Sequence, residues 1–265
     1  MNSLTLDQDT LLKPALNDLI LIRQQSPIIH NLTNLVVMQT TANLLLAIGA
    51  SPIMAHAKEE LSEIIQIAQA LVINIGTLDE EWINAIEKAQ FAALQQRIPI
   101  IFDPVGAGAS HYRTSTAKQI LKRGINILRG NATEILSLTD ATINTKGIDS
   151  QHTSKEALIA GKQLAQQYHC TVVISGRVDV IIDQDQEVHI PYGTPLFTKV
   201  TGMGCGATAI IGAFAAVNKN YFKAAIHAMT LYTLAGELAA ANAKGPGTFA
   251  TALLDALFSL NTESL

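Results

Sequence analysis

IPIIFDPVGAG, residues 98–108, opens on a short apolar run and ends in an aspartate, a proline and a glycine loop. A continuous apolar run of this length reads as a strand buried on both faces, as in parallel sheets covered by helices. Asp103 then stands at the strand end. Turn chemistry explains the aspartate and its glycines as readily as a metal or phosphate role does.

The same pattern recurs outward from this stretch. SPIIH (26–30), LVINIG (71–76), INILRG (125–130) and TVVISG (171–176) read as further buried strands. Helical spacing fills 35–48, 58–70, 78–96 and 154–169, with Leu158, Leu164 and Ala165 on one face of the last. Strands alternating with helices argue for an α/β fold, a mostly parallel sheet with helices on both faces. VIIDQDQEVHIPYG (180–193) reads as an antiparallel hairpin turning near Asp183–Gln186. An alanine-rich helical region follows over 205–243, then GPGT and a final helix of about ten residues. No linker, repeat or low-complexity segment interrupts the chain, so residues 1–265 read as a single domain.

Polar and glycine residues gather where the strands end: HNLTN after the first, GT after the second, DPVGAG, GNATE and SGRVD after the next three. In open α/β sheets ligands bind outside the carboxyl ends of the strands. Any one of these loops is ordinary loop polarity; gathered at one edge, they mark where a site belongs.

The bulk properties narrow the function. The chain has 265 residues, 48% hydrophobic and 15% charged, enough for one large core. A net charge of −4, aromatics at 5% and no Lys/Arg cluster argue against nucleic-acid binding. The first twenty residues hold three acids and no basic leader region, so they do not read as a signal peptide. The apolar stretch AIIGAFAAV (209–217) is too short to span a bilayer, which argues against a membrane role. Two cysteines, Cys170 and Cys205, lack metal or redox spacing and fit a reducing compartment. The expectation is a cytoplasmic protein.

TGMGC (201–205) places two glycines and a cysteine before a long helical run, where uncovered N–H groups at a helix start can cradle an anion. GMGCGA matches G-x-G-x-x-A, yet no strand follows its helix, so a dinucleotide fold does not apply, and no P-loop motif occurs. Cys205 reads as a nucleophile only with a histidine base. The seven histidines are scattered without a thiol-hydrolase signature, and a small cysteine packing a helix start is the plainer alternative. A helix N-terminus favours thiolate, whereas bound phosphates oppose it. RGNATE (129–134) sets Asn131 and Glu134 three apart: either a capping box or oxygen donors toward Mg²⁺.

Taken together and in order, ANLLLAIGASPIMAHA, NIGTL, FDPVGAGASHYR, RGNATEI, VVISG and TKVTGMGC make the whole chain resemble the hydroxyethylthiazole kinases of thiamine salvage, within the ribokinase-like superfamily. The resemblance implies phosphorylation of the hydroxyl of 4-methyl-5-(2-hydroxyethyl)thiazole by ATP with Mg²⁺, and a homotrimer with active sites at subunit boundaries. It implies that Met54 packs on the thiazole and that Gly202 offers backbone to the substrate hydroxyl region. Arg129 and Ser175 become ATP contacts, the arginine meeting phosphate charge. Asn131 and Glu134 become the N-x-x-E element that organises Mg²⁺, and 202–205 the anion-hole turn. Cys205 takes the position where most of the superfamily has an aspartate base, and Met203 stands where a smaller residue is common. Readings of another class stay open: a different small-alcohol kinase, an ATP-dependent dehydratase of the same fold, or a non-catalytic thiazole sensor.

Overall fold

Five of the expected strands form where the apolar runs stand: β1 (Ile28–Leu32), β3 (Ala70–Asn74), β4 (Ile100–Asp103), β5 (Ile127–Asn131) and β6 (Thr171–Ser175). A short edge strand, β2 (Ser51–Ile53), joins them, and the expected hairpin is β7 (Asp179–Ile182) with β8 (Glu187–Ile190). The computed structural model describes residues 8–139 and 150–261; residues 1–7, on which part of the signal-peptide reading falls, lie outside these.

The strands lie in one sheet, ordered β2-β1-β3-β4-β5-β6-β7-β8. Pairing is parallel from β2 through β6 and antiparallel at β6–β7 and β7–β8. Two apolar layers explain the continuous hydrophobic runs. Ile29, Val72, Ile101, Ile127 and Val173 face one core, and Leu71, Ile73, Phe102, Leu128 and Val172 face the other. Successive strand residues point to opposite faces, so both must be apolar when helices cover both.

On the first face lie α1 (Gln8–Gln25), α2 (Met38–Ala47), α8 (Met203–Val217), α9 (Tyr221–Asn242) and α10 (Pro246–Ser259). On the second lie α3 (Leu61–Ile67), α4 (Glu80–Gln96), α5 (His111–Arg123), α6 (Ala132–Leu138) and α7 (Ser150–Tyr168). Among the described residues no helix is long and apolar enough to cross a membrane.

Several boundaries differ from the sequence reading. The helical region expected over 205–243 is divided into two helices, α8 and α9. Asn220 caps α9 by accepting from the Lys223 N–H at 3.0 Å, and Asn218 donates to Asp18 at 2.8 Å. Asparagine competes for backbone groups with its side chain, so it ends helices as well as starting them. Helix α3 is shorter than 58–70 because Ala70 already belongs to β3. The last helix runs 14 residues rather than ten, starting at Pro246, where a missing N–H costs nothing.

Candidate active site

The carboxyl ends of β1, β3, β4, β5 and β6 converge on one edge of the sheet, and register brings their polar ends level. Asn74 pairs with Asp103 across β3 and β4, and Asn131 with Ser175 across β5 and β6. Asp103 is fully buried. Its Oδ2 accepts from the Asn74 amide at 3.1 Å and from the Thr208 hydroxyl at 2.8 Å, with Arg129 Nη1 at 3.8 Å. Its Oδ1 has no hydrogen-bond partner among the described residues. Burial pushes the Asp103 carboxyl up to about 6; the Arg129 charge pulls it down and Glu134 adds to the rise.

Helix α8 begins over this edge. Its N-cap, Gly202, has φ 89°, a left-handed turn that glycine adopts without a Cβ penalty, and no side chain caps the helix. The first N–H groups of a helix have no partner within it, so this turn presents donors and the positive dipole end to the cleft. Arg129 lies against the same turn: a Cβ on Gly204 would stand 2.7 Å from Nη1. Two sources of positive potential therefore meet at this turn, which suits it to an anionic ligand.

Cys205 occupies the third position of α8 and is half-buried. Its thiol is pushed up to about 11, first by burial and then by the Asp103 charge; donors from Asn74 and Asn34 and the Arg129 charge oppose this. The helix N-terminus does not make it a thiolate. Desolvation and the neighbouring carboxylate outweigh the amide donors and the Arg129 charge.

A cavity of about 800 Å³ opens beside the α8 turn. Arg129, Asn131, Ser175 and Gly204 line its polar end, and Tyr192, Phe197 and Met229 line its apolar part. A 3₁₀ helix, Pro195–Lys199, carries Phe197, whose ring stacks on Tyr232 with centroids 5.0 Å apart. Met203 is buried and also lines this cavity; its carbonyl accepts from the Tyr232 hydroxyl at 2.8 Å.

Asn131 and Glu134 form the capping box of α6. Glu134 N–H donates to Asn131 Oδ1 at 2.9 Å and Asn131 N–H to Glu134 Oε2 at 2.8 Å. The same carboxylate accepts from Gly106 N–H through Oε1 at 2.9 Å, so it ties the DPVGAG loop to β5. No cluster of three or more His, Cys, Asp or Glu side chains suited to a metal occurs among the described residues. That donor set still fits Mg²⁺, which takes one or two carboxylates and completes its shell with water and substrate phosphate. Each Glu134 oxygen keeps a lone pair beyond its one N–H bond.

Of the residues singled out in the sequence, Arg129, Asn131 and Ser175 share the cavity, Gly202 and Cys205 form the adjoining turn, and Glu134 lies behind Asn131. Met54 lies elsewhere, half-buried just past edge strand β2, and does not line that cavity. Sequence reading missed Asn34, Asn74 and Thr208 and left Asp103 open between a turn residue and a metal or phosphate role. The available signal was polarity out of place, as an asparagine ends the apolar run of β3 and a threonine interrupts the apolar α8.

A family model described as the hydroxyethylthiazole kinase family matches residues 19–263. The hydroxyethylthiazole kinase of Leptospira biflexa serovar Patoc is 49% identical over 256 residues, spanning 96% of this chain and 96% of that protein. A solved hydroxyethylthiazole kinase protein from Pyrococcus horikoshii OT3 superposes with a TM-score of 0.88 at 41% identity, covering 95% of each chain. A ribokinase-like superfamily protein from Enterococcus faecalis V583 shares the fold, with a TM-score of 0.65 at 14% identity over 87% of this chain and 86% of that one.

Proposed function

The chain belongs to the hydroxyethylthiazole kinase family, and from that premise we propose how its residues divide the work. The enzyme phosphorylates the hydroxyl of hydroxyethylthiazole with ATP, a step of thiamine salvage. The observation that carries the assignment of roles is the uncapped start of α8, set between the Arg129-lined cavity and the Cys205 thiol.

In this reading ATP lies in the cavity with Arg129 and Ser175 as contacts; the Ser175 hydroxyl and Arg129 Nε are buried without partners among the described residues, and so are available to a ligand. The N–H groups of the 202–205 turn face the transferring phosphoryl. Gly202 backs the acceptor hydroxyl and Met54 contacts the thiazole. Phosphoryl transfer asks for positioning and charge stabilisation more than for covalent help. Cys205, protonated at neutral pH, orients the acceptor hydroxyl, and only its small thiolate fraction acts as a base. Glu134 and Asn131 would hold Mg²⁺, which when bound would supply screening of the phosphate charges.

The same reading takes the chain as one kinase domain acting in the cytoplasm as a homotrimer. Leu35 and Val36, at the start of the β1–α2 connection, are 63% and 67% exposed, which supports a covered subunit boundary beside the site. Light scattering that returns a monomer mass would remove the trimer.

Mass spectrometry of the reaction over a panel of alcohols tests the substrate. One phosphate added to the thiazole alcohol is expected. A pyridoxal-type alcohol phosphorylated far better would overturn the substrate. ADP released without a phosphorylated organic product would indicate a dehydratase, and binding without turnover a sensor.

A further inference from the structure

The sheet order reverses direction between β1 and β3, since β2 lies on one side of β1 and β3 on the other. At such a switch point the two outgoing loops diverge and leave a crevice. Here the HNLTN and GT loops are joined instead. Leu35 N–H donates to the Thr77 hydroxyl at 3.0 Å, and Asn34 sits on Gly76 so closely that a Cβ there would stand 2.7 Å from Nδ2 and 2.8 Å from Cγ. Gly76 has no left-handed backbone, so its contribution is room for Asn34.

Asn34 is 4% exposed, and its amide has one allowed orientation. Oδ1 accepts from Val36 N–H at 3.1 Å, which turns the NH₂ group inward. From there Nδ2 donates to Asn74 Oδ1 at 2.9 Å and meets Cys205 Sγ at 3.5 Å. Asn74 is fixed in the same manner, accepting from Gly76 N–H at 2.9 Å while its own NH₂ reaches Asp103. A row of oriented amides thus runs from the buried carboxylate to the sulfur. The sulfur receives the Asn34 and Asn74 N–H groups on this side, so its own proton is left for the acceptor side.

We infer that Asn34, seated on Gly76 and locked by Asn74, is a positioning residue for phosphoryl transfer, holding the Cys205 sulfur in the orientation that meets the acceptor hydroxyl. The inference rests on the reading of Cys205 given above. The thiol is also faced by the Asn74 amide from β3, Asp103 from β4, Arg129 from β5 and Tyr232 from α9. Asn34 differs from the last three in acting through an oriented hydrogen bond, and it holds Asn74 in place for the same purpose.

The test combines Asn34→Leu and Gly76→Ala, each alone and with Cys205→Ala. Asn34→Leu keeps bulk and removes the amide; Gly76→Ala displaces Asn34 without altering a polar group. Each single variant should lower kcat about tenfold or more and leave the KM for ATP within about twofold. In the Cys205→Ala background the further loss should be under about threefold, because the group being positioned is gone. Losses that multiply in full would overturn the inference, since Asn34 would then act independently of the sulfur. A second readout needs no turnover. The rate of Cys205 alkylation by iodoacetamide at fixed pH follows the thiolate fraction, and Asn34→Leu should slow it several-fold through the lost donor; an unchanged or faster rate would also overturn it. Failure of the underlying reading is separately visible, as an unchanged kcat in Cys205→Ala alone.

Discussion

At the scale of single residues, the site turns on two buried acids with opposite consequences. The Cys205 thiol is held near 11, so a neutral-pH enzyme has little thiolate. General-base help is typically worth about 10²–10⁴-fold, and positioning and charge stabilisation are worth more. Cys205→Ala should therefore slow turnover substantially and leave measurable kinase activity. Cys205→Asp, which puts an ionisable carboxylate in the same place, should match or exceed the parent. Steady-state kinetics with a trapping search for a cysteine adduct checks both; an adduct would make the sulfur a nucleophile. Asp103 governs stability instead. Its native carboxyl keeps a proton up to about 6, against 3.8 for a free side chain. The native state binds that proton more tightly, so the contribution is complete below about pH 3.8 and is lost as pH rises through about 6. Asp103→Asn should flatten this part of the profile of denaturant midpoint against pH. A profile of unchanged slope would assign the titration to another group.

At the scale of elements, the α6 capping box shows how one side chain serves two purposes. Glu134 caps the helix and anchors Gly106, each through its own carboxylate oxygen. Glu134→Gln keeps one acceptor and turns the other into a donor, so one of the two N–H bonds is lost and the melting curve should show a cost of about 1–3 kcal/mol. Holding Mg²⁺ needs the charge, so the Mg²⁺ titration of turnover should shift strongly to higher concentration. A normal titration would leave Glu134 as a cap alone. Strands β1, β3, β4, β5 and β6 were legible because a strand buried on both faces is a nearly continuous apolar run, and the β7–β8 hairpin because two short β-rich runs flank the polar turn at Asp183–Gln186. Edge strand β2 and helices α1, α5 and α6 were not. The strand is three residues long and α6 seven, and the buried face of α5 carries only Ala117, Ile120 and Leu121 as apolar residues beside Thr116.

For the whole molecule, closure depends on contacts between distant parts of the chain. Arg23, at the end of α1, donates to the carbonyls of Leu260 at 2.7 Å, Phe258 at 2.8 Å and Leu257 at 3.1 Å. A guanidinium there satisfies the last carbonyls of α10 and complements its negative dipole end. Asp18 joins the same helix α1 to Asn218, and to His227 on α9. Arg23→Ala should lower stability by about 1–3 kcal/mol, read from the denaturant midpoint, with kcat for the thiazole alcohol nearly unchanged. A fall in kcat without a fall in stability would mean that α1 shapes the site.

The sequence by itself determined the α/β alternation, the carboxyl-end location of the site and the family, because buried strands and functional loops leave their pattern in consecutive residues. It also held both readings of the N-x-x-E element, cap and metal, since the same atoms satisfy both. Only the tertiary structure decided which strand ends meet: that Asn34, Asn74, Asp103 and Thr208 form one row behind Cys205, although Asp103 and Thr208 are 105 residues apart in the chain. It also decided the protonation of Cys205. A thiol's ionisation depends on the burial and charge around it in space, and here the charge that acts on it most, Asp103, comes from β4, a strand far from Cys205 in sequence.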